Sequence, residues 1–266
     1  MHDFAYYRPA SLADAKARLG SESEGKLLAG GQTLLPTLRQ RLAAPSALID
    51  LAGLSELSGI ARRGEMLSIG AMTRYAAIAE APLVRAALPA LARLVEGIGD
   101  PLVRNRGTIG GSLANNDPAA DLPAAALALN AVLHTDTRAI PAADFFLGLF
   151  ETALQPDEIL TRIDFPLPRR AAYVKFRNPA SRYAVVGVFV ADTHQGVRVA
   201  VTGAGPCVFR QSAFEAALSR DFSPAALAGI AVDADGINAD IHASAEYRAH
   251  LVGVLARRAV ASALEG

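Results

Sequence analysis

Two glycine-containing segments, well separated along the chain, constrain the fold and the ligand of this protein more than any other feature. The first spans residues 29–36 and the second spans residues 105–118, and each contains an adjacent pair of glycines. Glycine lets the backbone approach a bulky anion and turn several N–H groups toward it. Both segments also carry hydroxyl donors: Thr33, Thr108 and Ser112. The pattern predicts one elongated, phosphate-bearing ligand held from two sides.

The first segment lies between a predicted strand and a predicted helix. Residues 26–29 form a short, mostly apolar run that favours a strand, and residues 33–41 favour a helix that tolerates Pro36 in its first turn. The N-terminus of that helix would direct its positive dipole end toward whatever the glycines hold. An ordinary strand-to-helix turn explains the same residues, so both interpretations stay open for this segment alone.

The second segment is more specific. Residues 115–117 read Asn-Asn-Asp directly after the glycine region, and Pro118 and Asp121 follow. A turn that caps a helix would explain the acidic residues, because such residues favour helix starts. That interpretation does not explain residues 107–111, which read Gly-Thr-Ile-Gly-Gly.

Local patterns divide residues 1–170 into two units. A small β–loop–α–β unit is predicted for about residues 1–52, with a helix that begins at Ser11 and ends at Gly20. The second unit, residues 53–170, ends in two prolines and a charge pair that mark a boundary. Its predicted elements are strands at residues 66–71, 131–134 and 159–165, a helix capped by Thr73, and helices at residues 83–95 and 119–129.

Residues 171–266 have a different pattern and are predicted to form a separate C-terminal domain. The simplest interpretation is a three-stranded antiparallel sheet with helices, which makes the whole chain an α+β protein. The predicted strands are residues 172–176, 184–191 and 197–201, and the predicted helices are residues 211–218 and 244–264.

Composition excludes several classes of protein. The chain has 266 residues, with 26 basic and 26 acidic side chains, so it lacks the basic footprint of a nucleic-acid-binding protein. No apolar run approaches the roughly 20 residues of a membrane span. The first residues lack the pattern of a signal peptide, so a cytoplasmic location is expected.

The single cysteine, Cys207, limits the redox chemistry that this chain can carry. One thiol can form no internal disulfide and cannot hold an iron–sulfur cluster. We expect Cys207 to be a small, buried apolar residue. The five histidines are scattered without helical metal-ligand spacing, so no metal site is predicted.

The glycine segments resemble those of a known family. Ala-Gly-Gly-Gln-Thr-Leu-Leu-Pro at residues 29–36 and Thr-Ile-Gly-Gly-Ser-Leu-Ala-Asn at residues 108–115 are similar to the two flavin loops of the molybdenum hydroxylases, the xanthine dehydrogenase and aerobic carbon monoxide dehydrogenase relatives. Further short matches occur at residues 157–160, 173–176 and 244–248, so the resemblance covers essentially the whole chain. Flavin subunits of the carbon monoxide dehydrogenases tend to carry His after the first glycine pair, where this chain has Gln32, which favours a broader relative.

The resemblance implies a two-lobed FAD-binding domain of the PCMH/VAO type, followed by the C-terminal domain. It implies that residues 29–34 line the pyrophosphate, that residues 108–112 contact the cofactor from the other side, and that Leu160 and Lys175 reach the flavin ring. Ile98 is either near the ring or an ordinary core residue. The full set of predicted cofactor-binding residues is Ala29, Gly30, Gly31, Gln32, Thr33, Leu34, Thr108, Gly110, Gly111, Ser112, Asn115, Asp117, Asp121, Leu160 and Lys175.

The same resemblance implies an FAD-binding electron-transfer subunit of a molybdenum hydroxylase complex. A large subunit would hold the molybdenum cofactor and determine the substrate, and a small subunit would hold [2Fe-2S] clusters. This chain would bind FAD without a covalent link and pass electrons to an external acceptor. Two alternatives stay open: a self-sufficient flavin-dependent reductase of the same fold, and a nucleotide-binding protein without electron transfer.

Overall fold

The computed structural model describes residues 1–265, and its N-terminal lobe contains a small parallel sheet. The strands are β1 (Ala5–Tyr7), β2 (Gly25–Leu28) and β3 (Ala47–Asp50), in the spatial order β1-β3-β2. The helices are α1 (Leu12–Ser21) and α2 (Leu34–Arg39). Ser11 caps α1 as predicted, because its hydroxyl oxygen accepts from the Asp14 N–H at 3.1 Å.

The second lobe is built on a five-stranded antiparallel sheet. Its strands are β4 (Ile60–Arg63), β5 (Met66–Gly70), β6 (Val132–Thr135), β7 (Ala139–Pro141) and β10 (Leu160–Pro166), in the order β4-β5-β10-β6-β7. A two-stranded hairpin of β8 (Phe146–Gly148) and β9 (Glu151–Thr152) precedes β10. The helices are α3 (Tyr75–Glu80), α4 (Pro82–Ala87), α5 (Pro89–Glu96), α6 (Pro101–Arg104), α7 (Ile109–Asn115), α8 (Leu122–Ala128) and α9 (Ala142–Phe145).

Three predictions for this lobe were wrong in detail. The predicted helix at residues 83–95 is two helices, because Pro89 forces the chain out of the helical region at Leu88. Thr73 does not cap α3: its hydroxyl oxygen bonds to the backbone of Gly59 instead. The second glycine segment is not a loop throughout, since residues 109–115, which include its glycine pair, form α7.

The C-terminal region contains a four-stranded antiparallel sheet, so the prediction of three strands was wrong. The strands are β11 (Arg170–Arg177), β12 (Ala184–Thr193), β13 (Gly196–Thr202) and β14 (Phe209–Arg210), in sequence order across the sheet. The helices are α10 (Ser212–Arg220) and α11 (Ala245–Glu265). Strand β14 escaped prediction because two residues are too few to show an alternating pattern.

The C-terminal sheet is covered on both faces. One face joins the core of the second lobe, where Phe189 and Ala200 belong to the same apolar cluster as Leu91. The other face packs Val186 and Val188 against α10 and α11. This arrangement places β11 directly beside the second lobe, which matters for the site described below. Within residues 1–265, no helix has both the length and the apolar character to cross a bilayer.

Candidate functional site

A cleft of about 680 Å³ lies between the first two lobes and reaches the C-terminal sheet. This volume is in the usual range for a small-molecule or cofactor site. Both glycine segments line it, as the sequence predicts. Of the predicted cofactor-binding residues, those on its wall are Ala29, Gly30, Gly31, Gln32, Thr33, Leu34, Thr108, Gly110, Gly111, Ser112, Asn115, Asp117, Asp121 and Leu160.

The first glycine segment leaves backbone donors free. Gly31 adopts a φ of +71°, a left-handed conformation that favours glycine, and its carbonyl oxygen accepts from the Leu35 N–H at 3.1 Å. Among the residues that the structure describes, the N–H groups of Gly31, Gln32 and Thr33 donate to no protein acceptor. Such a set of unpaired N–H groups at the start of a helix is suited to an anionic group.

The second glycine segment uses its backbone donors within the protein. The Gly110 N–H donates to the Ala71 carbonyl oxygen at 2.8 Å, and the Ile109 N–H donates to the Thr73 carbonyl oxygen at 3.1 Å. The Gly111 N–H donates to the Thr108 hydroxyl oxygen at 3.2 Å, which caps α7. The expectation that both segments turn free N–H groups toward a ligand was therefore wrong for this one.

Close packing explains two of the glycines. A Cβ atom on Gly30 would overlap the carbonyl oxygen of Arg106 and lie 2.8 Å from the Cα atom of Gly107. A Cβ atom on Gly110 would lie 2.7 Å from the Ala71 carbonyl oxygen. The two glycine segments therefore touch each other, which closes one end of the cleft.

A hydrogen-bonded cluster of Asp121, Tyr173 and Lys175 joins the cleft wall to the C-terminal sheet. Asp121 is buried on the cleft wall, and its two carboxylate oxygens accept from the Tyr173 hydroxyl and, at 2.9 Å, from the Lys175 ammonium group. Burial raises the pKa of Asp121, whereas Lys175 and Tyr173 oppose the rise. Lys175 reaches the cleft only through Asp121 and is not on its wall, so its contact with a flavin ring stays a prediction.

The polar run after the second glycine pair divides between the cleft and the scaffold. Asn115 and Asp117 line the cleft, and burial raises the pKa of Asp117. Asn116 is fully buried instead, with a φ of +44°. Its amide nitrogen donates to the carbonyl oxygens of Gly148 and Glu151, both at 2.8 Å, so it fastens the β8–β9 hairpin to the end of α7.

A third wall of the cleft, residues 152–160, is held by a buried carboxylate. Glu158 accepts from Arg138 at 2.8 Å and from the Gln155 N–H at 3.0 Å. The Arg138 guanidinium group is the main cause that lowers the pKa of Glu158 to about 2. The Gln155 N–H and nearby hydroxyl donors lower it further. Asp136 adds a link between lobes, because it pairs with Lys16 of α1 and accepts from the Ile159 N–H.

Several wall residues were not predicted from the sequence. Tyr75 lies in the second lobe, and Ser181, Arg182 and Tyr183 lie between β11 and β12. Burial, and then the charges of Asp117 and Asp121, raise the pKa of Tyr183. Only the tertiary fold brings these residues to the cleft, so no local pattern identifies them. Ile98, for which two interpretations were open, also lines the cleft.

The wall fits an elongated dinucleotide cofactor. It offers free N–H groups for a phosphate, the Asp121 carboxyl group for a polar ring edge, and apolar side chains that include Leu160 and Ile98. None of the wall residues is a histidine or a cysteine. The fold and the cleft thus define a cofactor-binding α+β protein.

Comparison with known proteins gives the family. Residues 2–168 match the model described as FAD binding domain in molybdopterin dehydrogenase, so the chain belongs to this family. It is 36% identical to the carbon monoxide dehydrogenase medium chain of Hydrogenophaga pseudoflava, over 98% of this chain and 96% of that one. It is 38% identical to the nicotine 6-hydroxylase medium subunit of Paenarthrobacter nicotinovorans, over 97% of this chain and 96% of that one.

Solved structures agree with this membership. Carbon monoxide dehydrogenase from Hydrogenophaga pseudoflava, lacking the Mo-pyranopterin moiety, superposes with a TM-score of 0.88 at 35% identity, covering 98% of this chain and 97% of that one. Quinoline 2-oxidoreductase from Pseudomonas putida 86 superposes with a TM-score of 0.89 at 29% identity, covering 99% and 98%. The likeness therefore spans the C-terminal sheet as well as the two lobes.

Proposed function

We propose that this chain is the FAD-binding electron-transfer subunit of a molybdenum hydroxylase, an oxidoreductase complex. The cleft with two glycine segments carries this proposal, because it combines free backbone donors with the hydrogen-bonded Asp121 cluster in a chain that belongs to this family. FAD, when bound, supplies the ability to accept and release electrons, and the protein binds, orients and tunes it.

The residues divide the work of binding. The N–H groups of Gly31, Gln32 and Thr33 hold the pyrophosphate, and the hydroxyl groups of Thr108 and Ser112 bind from the opposite side. The Asp121–Lys175 pair serves the polar edge of the flavin ring, and Leu160 packs against the ring. No acid–base residue is needed, because this chain transfers electrons and the chemistry on substrate takes place elsewhere.

The complex requires two partner subunits. Cys207 is the single cysteine of the chain, so the [2Fe-2S] clusters must lie in a small iron–sulfur subunit. The molybdenum cofactor lies in a large subunit, where substrate is oxidised. Electrons reach this chain from the iron–sulfur subunit and leave for an external acceptor. The carbon monoxide dehydrogenase and nicotine 6-hydroxylase relatives are named as medium chains, which agrees with this division.

The proposal includes the finer description of the fold. The two-lobed domain is of the PCMH/VAO type and spans residues 1–170, with lobes of about 1–52 and 53–170, and residues 171–266 form the C-terminal domain. The match of the family model to residues 2–168 supports that boundary. A cytoplasmic location is also part of the proposal, and cell fractionation tests it.

Copurification is the sharpest test of the proposed function. The tagged chain, isolated from its native cells, should bring down a large molybdenum-containing subunit and a small iron–sulfur subunit, and the complex should show a flavin absorption spectrum. Substrate should reduce that flavin only when both partners are present. Substrate oxidation by the isolated, metal-free chain would instead favour the self-sufficient reductase, and a colourless complex would favour a nucleotide-binding protein without electron transfer.

The FAD is expected to be bound without a covalent link. The wall of the cleft contains no histidine or cysteine that could attach to the flavin. Acid precipitation of the purified complex should therefore release all of the yellow colour into the supernatant. Yellow colour that stays with the precipitated protein would contradict this part of the proposal.

A further inference from the structure

The C-terminal sheet contacts the wall of the cofactor cleft through Asp121. Tyr173 and Lys175 are two positions apart on β11, so their side chains lie on the same face of the strand. Both side chains bond to Asp121, each to a different carboxylate oxygen. Two donors on one buried carboxylate fix its orientation, because a single donor would leave the group free to turn. Both donors also favour the charged form of the group.

The position of the Tyr173 hydroxyl depends on a glycine in the neighbouring strand. Gly187 of β12 pairs with Lys175 in the register of the sheet. A Cβ atom on Gly187 would overlap the Tyr173 hydroxyl oxygen. The absence of a side chain at this position therefore leaves the space through which Tyr173 reaches Asp121. The ring itself is held by Phe189, with 6.1 Å between the ring centroids.

The residue that pairs with Gly187 on the other neighbouring strand fixes the turn that carries Asp121. Gly187 pairs with Thr202 of β13, whose hydroxyl donates to the carbonyl oxygens of Pro118 and Ala120, at 2.9 and 2.6 Å. The Gly203 N–H also donates to the Pro118 carbonyl oxygen, at 2.7 Å. Strand β11 thus holds the side chain of Asp121, and the end of β13 holds the backbone of the turn that carries it, whereas β12 between them leaves space at Gly187.

We propose that Tyr173 is a positioning residue of the cofactor site, which acts through Asp121 and depends on the space left by Gly187. Together with Lys175, it holds the Asp121 carboxyl group in one orientation at the cleft wall. The inference rests on the proposed function, since it concerns the binding of FAD in this cleft. It makes the C-terminal sheet part of the cofactor site, although the family model matches only residues 2–168.

The test uses the complete complex with Y173F. The dissociation constant of FAD should rise about tenfold, because a hydrogen bond to a buried charged group is lost. Asp121 would keep only Lys175 as a donor against the effect of burial, so its pKa should rise further. Any pH-dependent step in the flavin absorption spectrum and in the affinity for FAD that comes from Asp121 should then move to higher pH than in the wild type. Tyr247→Phe, the same chemical change at an exposed position on α11, is the matched control.

A double-mutant cycle separates positioning from a general loss of stability. In a D121N background, Y173F should have no further effect on the affinity for FAD, because Tyr173 acts through that carboxylate. Gly187→Ala should reproduce the Y173F phenotype, because it displaces the Tyr173 hydroxyl without removing it. If the Y173F complex retains no FAD, the same measurements are made on Gly187→Ala instead.

Either of two results would overturn the inference. One is a Y173F complex whose FAD affinity, spectrum and pH profile match those of Tyr247→Phe. The other is an effect of Y173F that persists at full size in the D121N background. Failure of the proposed function would look different, since the wild-type complex itself would then contain no FAD.

Discussion

The first glycine segment keeps the N–H groups of Gly31, Gln32 and Thr33 without protein acceptors, whereas the second uses those of Ile109, Gly110 and Gly111 in the scaffold. Both segments line the same cleft. The difference follows from local structure, because the first precedes its helix as an open turn and the second forms the first turn of α7. Similar glycine patterns therefore have different roles: the first segment supplies backbone N–H donors, and the second allows close packing of the backbone.

Close packing of the backbone around the second segment depends on individual glycines. Gly110 lies against the Ala71 backbone, and Gly30 of the first segment lies against the backbone of Arg106 in the second segment. Gly111 instead lines the cleft, where a Cβ atom added to it would lie 2.9 Å from the Thr108 hydroxyl oxygen and 3.2 Å from the Ala29 Cβ atom. Adjacent glycines thus serve packing and ligand access respectively, which gives the comparison its sharpest tests.

Gly110→Val should have the largest effect, on folding itself. Its side chain would have to displace the Ala71 backbone, and overpacking of this kind costs up to about 3 kcal/mol of unfolding free energy. The melting temperature of the purified chain, followed by circular dichroism, should fall by about 6–12 °C. Gly20→Val is the control, since a Cβ atom there meets nothing within 4 Å. Equal melting temperatures for the two variants would show that Gly110 has no packing role.

Gly111→Val should mainly affect the cofactor. The valine methyl groups would occupy space between the two segments that FAD needs, so we expect at least about a hundredfold loss of FAD affinity. The unfolding free energy should fall by only about 1 kcal/mol, because the nearest contact is a side-chain hydroxyl group. FAD content and the melting temperature of the complex check the two effects separately. Full FAD occupancy in this variant would remove Gly111 from the cofactor site.

Sequence patterns predicted the elements that carry strong periodicity or clear caps. Strand β5 and the Ser11 cap of α1 are correctly predicted, since alternation and capping are local properties. Helix α7 was missed because two glycines disfavour a helix by about 1 kcal/mol each. The Thr108 cap and the contact of Gly110 with Ala71 overcome that preference, and the second of these is a tertiary contact.

The candidate site shows the same division. The resemblance to the flavin loops predicted wall residues in both glycine segments, whereas Tyr75 and Tyr183 could not be predicted. Each reaches the cleft from an element that is distant in sequence from those loops. Tyr173 was also missed as a partner of Asp121, because the pairing depends on the register of β11 with β12 and on the small size of Gly187.

Gly31→Ala tests the open segment with a smaller change. A φ of +71° costs alanine about 1 kcal/mol, so the turn should relax and the free N–H groups should lose their alignment. We expect the dissociation constant of FAD to rise about tenfold, measured by fluorescence titration of the deflavinated complex. The comparison breaks if Gly31→Ala binds FAD as well as the wild type, because the open segment would then supply no essential donors.

Glu158→Gln should have the smallest effect, and it tests whether the third wall matters to either glycine segment. Because the folded pKa of about 2 lies below the ordinary value of 4.5, ionised Glu158 stabilises the fold above about pH 4.5, and this contribution is lost as the pH falls toward 2. The wild type should therefore exceed the variant by about 1 kcal/mol in unfolding free energy at pH 7, a modest value because the Arg138 side chain is 44% exposed. Urea unfolding between pH 3 and pH 7 should show a constant difference down to about pH 5 and a shrinking difference from about pH 4.5 to pH 3, while the dissociation constant of FAD at pH 7 changes by less than about twofold. A difference that stays constant with pH would mean that Glu158 contributes through packing and not through its charge. A large loss of FAD affinity would mean that residues 152–160 hold the cofactor as directly as the two glycine segments do.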